Sequence, residues 1–231
     1  MINTQSLSTH ASNSKYIPYF FIFIIYLITY GFLLLNIRGL YWDDNVYSAG
    51  HEYNILFNHY RDIVGLSGYY VAGLHFLLSK AGIWSYRFLS FFLFFGSGIL
   101  LYKIMETIAI IRPVDKFLLT LLYLTTPLGF AAKLSTTCLP YLLHLFLFFL
   151  GYYMVIKDAH KKGHLMRILI LFIFFVSFIT RSLMCLYLLF LIHLFYISFD
   201  KNRSFWENIR LFMIKNFDFI LLLPLSWIYH I

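Results

Sequence analysis

Unbroken apolar runs dominate the chain, and the length of such runs is what most limits its fold. A helix rises about 1.5 Å per residue, so about 20 mainly apolar residues, or roughly 17 with tilt and snorkelling flanks, cross about 30 Å of bilayer hydrocarbon. Residues 17–35 (IPYFFIFIIYLITYGFLLL) meet this outright, and 84–105, 117–132, 134–156, 165–180 and 182–199 meet it with ordinary flanks. A last run starts at Phe217 and reaches Ile231. The expectation is an all-α integral membrane protein with about seven transmembrane helices. A composition of 61% hydrophobic and 22% aromatic residues with 12% charged ones, at a mean hydropathy of +0.77, lies far outside the habits of a soluble domain.

Residues 37–83 interrupt the pattern. They are too many for a turn and carry Asp43, Asp44, Glu52 and Asp62 out of ten acidic residues. From Tyr53 to Val64 the apolar positions 53, 56, 57, 60, 63 and 64 oppose Asn54, Asn58, Arg61 and Asp62, which is the period of an amphipathic helix. After GLSG, the stretch YYVAGLHFLLSKAG has a small or polar stripe at Gly68, Ala72, His75 and Ser79, and it is too short to cross comfortably. Both segments are expected to lie at the membrane interface, in a structured first extracytoplasmic loop.

The net charge of +8 is scattered in short clusters between the runs, which argues against nucleic acid as a partner. With residues 1–16 as a cytoplasmic tail and the module 17–231 threading the membrane, the inner segments hold Lys15; Lys103, Arg112 and Lys116; Lys157, Lys161, Lys162 and Arg167; and Lys201, Arg203, Arg210 and Lys215. The outer side keeps Arg38, Arg61, Lys80, Arg87, Lys133 and Arg181. This split obeys the positive-inside rule, and turning 69–82 into a span would reverse it. Cys138 and Cys185 show no ligand spacing and read as packing residues.

The doublet Asp43–Asp44, in GLYWDDNVYSAG, therefore falls on the extracytoplasmic face. ATP and nucleotide sugars are cytoplasmic, so an enzyme on this face draws on a donor that has already crossed, and lipid-linked intermediates meet that need. A carboxylate there is suited to take the proton of an acceptor hydroxyl, and repulsion between neighbouring carboxylates raises one pKa. The plain alternative is a solvated turn or helix cap.

YWDDNVY resembles the acidic motif after the first transmembrane helix of the GT-C glycosyltransferases that use polyprenyl-phosphate sugars, closest to protein O-mannosyltransferases and the bacterial aminoarabinose transferase. GYYVAGLHFLLSKAGIWSYRFLSFF resembles the family's short greasy segment, glycine and arginine opening the second span, here Gly82 and Arg87. LLYLTTPLGFAAKLSTTCLPYLLHLFLFFLGYY is similar to its third and fourth spans, with Pro127 near the end of one and Pro140–Tyr141 opening the other. FIFFVSFITRSLMCLYLLF looks like the turn whose basic residue lies near the lipid phosphate. The likeness covers the family's N-terminal helical module. Departures are Gly68, Tyr69 and Tyr70 where a proline pair often stands, and Ser135, Thr136 and Thr137 where an acidic residue is frequent, which leaves a divalent metal without support.

The resemblance implies transfer of a sugar from a polyprenyl-phosphate carrier to a glycan, lipid or protein acceptor in a cell-envelope setting, at a bacterial inner membrane and with no cofactor. Asp43 or Asp44 is then the base, and Arg181 and Lys133 meet the charge on the departing phosphate. Glu52 holds substrate hydroxyls, while Trp42 and Tyr47 stack on the sugar. Each has a plainer reading: snorkelling for the cations, a helix first turn for Glu52, interface anchoring for the aromatics, and satisfied interfacial residues for His59 and His75. Another class stays open, an inactive truncated or split fragment or a non-catalytic partner subunit. A transporter component fits less well, since buried charges within spans and a visible internal repeat are not expected from the sequence.

Overall fold

The computed structural model describes residues 5–36, 53–64, 68–126, 136, 138–158 and 163–230. Among them the regular structure is entirely helical: α1 (Gln5–Tyr30), α2 (Phe32–Leu35), α3 (Tyr53–Val64), α4 (Gly68–Ala81), α5 (Ile83–Glu106), α6 (Pro113–Thr125), α7 (Leu139–Asp158), α8 (His164–Ser177), α9 (Leu183–Ser198), α10 (Phe205–Lys215) and α11 (Phe217–His230). The expected amphipathic helix is α3, and the short greasy segment after it is α4.

Among the described residues two helices are long and apolar enough to cross a membrane, Ile83–Glu106 with 24 residues and Leu139–Lys157 with 19. A third is reached if α10 and α11, bent by 66°, form one broken span. The sequence count of about seven is larger for a physical reason. Helices α8 and α9, with 14 and 16 residues, rise only about 21 and 24 Å, short of about 30 Å of hydrocarbon. The first apolar run is interrupted at Gly31, between α1 and α2. Counting apolar residues does not register such breaks.

Polarity is inverted relative to a water-soluble bundle. Phe20, Ile28, Leu119, Phe172, Leu189 and Ile192 are exposed, while His75, Arg87, Ser97, Thr120 and His144 are buried. Outward apolar side chains with inward polar ones are what a helix bundle in hydrocarbon requires.

Helix α5 is the organising element and packs most extensively on α7, with α6, α4, α2 and α1 also against it. Phe146 approaches Gly96 and Tyr153 accepts the Lys103 ammonium over its ring, the same sequence offset twice, so α5 and α7 run parallel. Gly98 lets Leu124 of α6 come close; a Cβ there would lie 2.5 Å from the leucine side chain. Around Tyr26, Tyr30, Phe91 and Phe94, one core joins α1, α2, α5, α6 and α7. A second core around Phe148, Phe174, Tyr187 and Phe190 joins α7, α8, α9 and α11.

Polar ties cross these cores. Tyr26 Oη donates to the Phe91 carbonyl at 2.8 Å, Tyr30 Oη to that of Thr126 at 3.2 Å, and Tyr187 Oη to that of Phe219 at 2.9 Å. Ser97 Oγ and Tyr123 Oη are 2.8 Å apart, as are Tyr152 Oη and His193 Nδ1. Between α4 and α5 the chain turns at Gly82, whose φ of +104° and ψ of 164° belong to a region open to glycine alone.

Helix direction sorts the charges. Tyr19 reaches Glu106, Lys116 donates to the Glu106 carbonyl, and Arg167 forms a forked ion pair with Asp218. Lys103, Arg112, Lys116, Lys157 and Arg167 therefore share one end of the bundle. The starts of α5, α7 and α9 and the end of α8 define the opposite end, with Arg87 and Arg181.

Candidate functional site

Of the site residues expected from sequence, Asp43, Asp44, Glu52, Trp42, Tyr47 and Lys133 lie outside the described residues. Arg181 is described: it occupies the turn between α8 and α9, with its side chain exposed. Helix α2, packed on α5, precedes the doublet's segment, and α3, packed on α4, follows it.

The Arg181 end of the bundle holds a buried polar assembly centred on His75. The imidazole, with no exposed surface, lies parallel to the Tyr60 ring, centroids 4.9 Å apart and planes 3° apart, and stacks on Tyr86 at 5.6 Å. Tyr86 Oη donates to the His75 carbonyl at 3.0 Å, so the 3.1 Å contact between that hydroxyl and Nδ1 is donated by the ring. Nε2 is then left to accept from Tyr60 Oη at 2.8 Å. One neutral tautomer satisfies every bond and joins α3, α4 and α5. Burial, and secondarily the charge of His59, push the His75 pKa down to about 4.

Arg87, one residue after Tyr86 in the first turn of α5, is only 1% exposed. His144 of α7 is buried as well, and its Nδ1 is 2.8 Å from the Oγ1 of Thr180, the residue before Arg181. Tyr70 of α4 lies over His144 at 5.9 Å between ring centroids. The His144–Thr180 bond thus anchors the turn that presents Arg181, and Tyr70 links that turn to the same helical hairpin that His75 pins.

Chemically, this end offers a guanidinium held away from water, a second one at the surface, and two fixed imidazoles. Among the described residues no group of three or more His, Cys, Asp or Glu side chains is placed to hold a metal ion. The satisfied-residue reading of His75 is what the geometry shows. Sequence reading passed over His144, whose only signal was a polar residue inside an apolar run four positions after Pro140. It noted Arg87 only as the start of a span; the available signal was a lone cation in the first turn of a greasy helix.

No family profile matches the chain, and neither does any curated protein or solved structure. The resemblance drawn above rests on the quoted motifs alone.

Proposed function

We propose that this chain is a membrane glycosyltransferase that moves a sugar from a polyprenyl-phosphate carrier to an extracytoplasmic acceptor, with Asp43 or Asp44 as general base. The observation that carries the reading is the burial of Arg87. A guanidinium removed from water needs a counter-charge with good geometry. In this reading Asp43 or Asp44 supplies that counter-charge. Asp62 is exposed and pairs with Arg61. A carboxylate beside a buried cation is held ionised and ready to accept a proton.

In this reading the acceptor O–H gives its proton to the carboxylate as its oxygen attacks the anomeric carbon. The bond from that carbon to the phosphate oxygen breaks, and its electron pair stays with the departing polyprenyl phosphate. Arg181, presented by the turn that His144 anchors, meets the charge, with Lys133 as a second cation. Glu52, Trp42 and Tyr47 hold the sugar. The full count of about seven spans, the cytoplasmic N-terminus and a bacterial inner-membrane location belong to the same proposal. The segregation of basic residues to one end supports the orientation.

The test is transfer from a short-chain polyprenyl-phosphate sugar by protein in nanodiscs, read as release of polyprenyl phosphate. Asp43→Asn with Asp44→Asn abolishes release while the protein still inserts, with a lowered melting temperature because buried Arg87 loses its counter-charge. Release at the unmodified rate by the double variant would refute the assignment of the base. Absence of donor binding by the unmodified protein would refute the reaction class.

A further inference from the structure

We infer that α10 is a membrane-surface helix that binds anionic lipid headgroups at the basic end of the bundle. This does not rest on the glycosyltransferase reading. Helix α10 starts with a capping box in which Ser204 Oγ accepts from Glu207 N at 3.2 Å and Glu207 Oε2 accepts from Ser204 N at 3.0 Å. Asn208 secures the preceding turn, accepting from Asp200 N at 2.9 Å and donating to the Asp200 and Ser204 carbonyls at 3.0 Å each. The helix is therefore a built element and not a frayed extension of α11.

Its angle is built as well. Asn216 ends α10, its N–H bonded to the Phe212 carbonyl at 2.9 Å, and Arg167 of α8 donates to the Lys215 carbonyl at 2.7 Å while pairing with Asp218 in the first turn of α11. The resulting bend is 66°. A helix turned 66° from one that enters the bilayer near its normal lies closer to the membrane plane than to the normal.

The side chains fit that position. Asn208 is buried, and Phe205 and Phe212 pack edge-on against Phe195 of α9. Trp206 and Met213, seven residues apart, share one flank of that packed face; Trp206 is 76% exposed. Such a tryptophan belongs at a headgroup boundary. Arg210, one turn beyond Trp206, lies beside it, with a stem long enough to carry its charge to a phosphate. The segment holds Lys201, Arg203, Arg210 and Lys215 against two acids. Both acids are engaged within the segment, Asp200 with Arg203 at 3.2 Å and Glu207 in the capping box. The excess of cations beside an exposed aromatic commits the surface to anionic lipid.

The experiment uses the full chain with Cys138→Ser and Cys185→Ser, and a fluorophore on Trp206→Cys, in nanodiscs of phosphatidylcholine with or without phosphatidylglycerol. The label is expected to be shielded from an aqueous quencher and quenched by a group at headgroup depth, while a label on Glu207→Cys stays accessible to water. Energy transfer from position 206 to labelled phosphatidylglycerol should exceed that to labelled phosphatidylcholine. This preference should weaken about fivefold for each charge removed in Lys201→Gln, Arg210→Gln and Lys215→Gln, and Arg210→Lys should retain it. Quenching from the bilayer centre would make α10 part of a broken span and overturn the inference. Equal transfer to both lipids, or free access of aqueous quencher to position 206, would overturn it too.

Discussion

Replacing His75 by Phe should change how stability depends on pH, and the size of the change follows from the geometry around the ring. In the folded protein the imidazole is buried between Tyr60 and Tyr86 and its pKa is pushed down to about 4. An exposed imidazole titrates near 6.5. Between those values the unfolded chain holds a proton that the folded chain refuses, so stability falls as the pH falls, and the loss is complete below about pH 4. The interval is worth roughly 3 kcal/mol, or a fall in melting temperature of about 6–12 °C for a chain of this size. His75→Phe keeps the stacking but removes the hydrogen bonds of the ring to Tyr60 and Tyr86, a cost of about 1–3 kcal/mol at neutral pH. The variant is therefore less stable than the unmodified protein at pH 7 and overtakes it near pH 5. Other titrating groups are common to both proteins, so the difference between the two curves isolates His75. Thermal unfolding in nanodiscs from pH 7.5 to 4, followed by tryptophan fluorescence, measures both. Parallel curves would refute the neutral, tautomer-fixed imidazole.

Gly82→Ala forces a methyl group into a backbone conformation open to glycine alone and should cost about 1–3 kcal/mol, seen as a lower melting temperature. Gly98→Ala overpacks α5 against Leu124 and should cost about 1–3 kcal/mol; adding Leu124→Ala should recover part of that loss, as measured in a double-mutant cycle. Asp218→Asn removes the forked partner of Arg167, and because both side chains are about one-third exposed the loss should be near 1 kcal/mol. Arg167→Lys should cost nearly as much, since an ammonium cannot make the fork. Arg87→Met combined with Asp43→Asn and Asp44→Asn should destabilise by less than the separate effects together, with a coupling of about 0.5–3 kcal/mol; strict additivity in urea unfolding would mean that the doublet does not balance Arg87.

Local signals in the chain carried far. The helical character followed from apolar composition, and α3 followed from its 3.6-residue period, because amphipathicity is a property of neighbours in sequence. The interval between α4 and α5 was marked by Gly82, a residue chosen for its backbone. The clustering of basic residues between runs anticipated the end of the bundle that gathers Lys103, Arg112, Lys116, Lys157 and Arg167. Run length alone, however, did not reveal that α8 and α9 hold only 14 and 16 residues, or that α10 and α11 meet at 66°, since those breaks are set by turns and caps.

What the tertiary structure alone decided is which polar residues are removed from solvent and what they touch. Nothing near His75 in sequence specifies Tyr60 and Tyr86 as its two partners; the α3–α4 hairpin folding onto α5 does. His144 meets Thr180 across 36 positions, and Arg87 loses its water only in the folded bundle. A sequence states which side chains are available and on which local face they lie. Burial depends on contacts between distant segments, and burial is what turns an ordinary imidazole or guanidinium into one with a fixed proton or a required counter-charge.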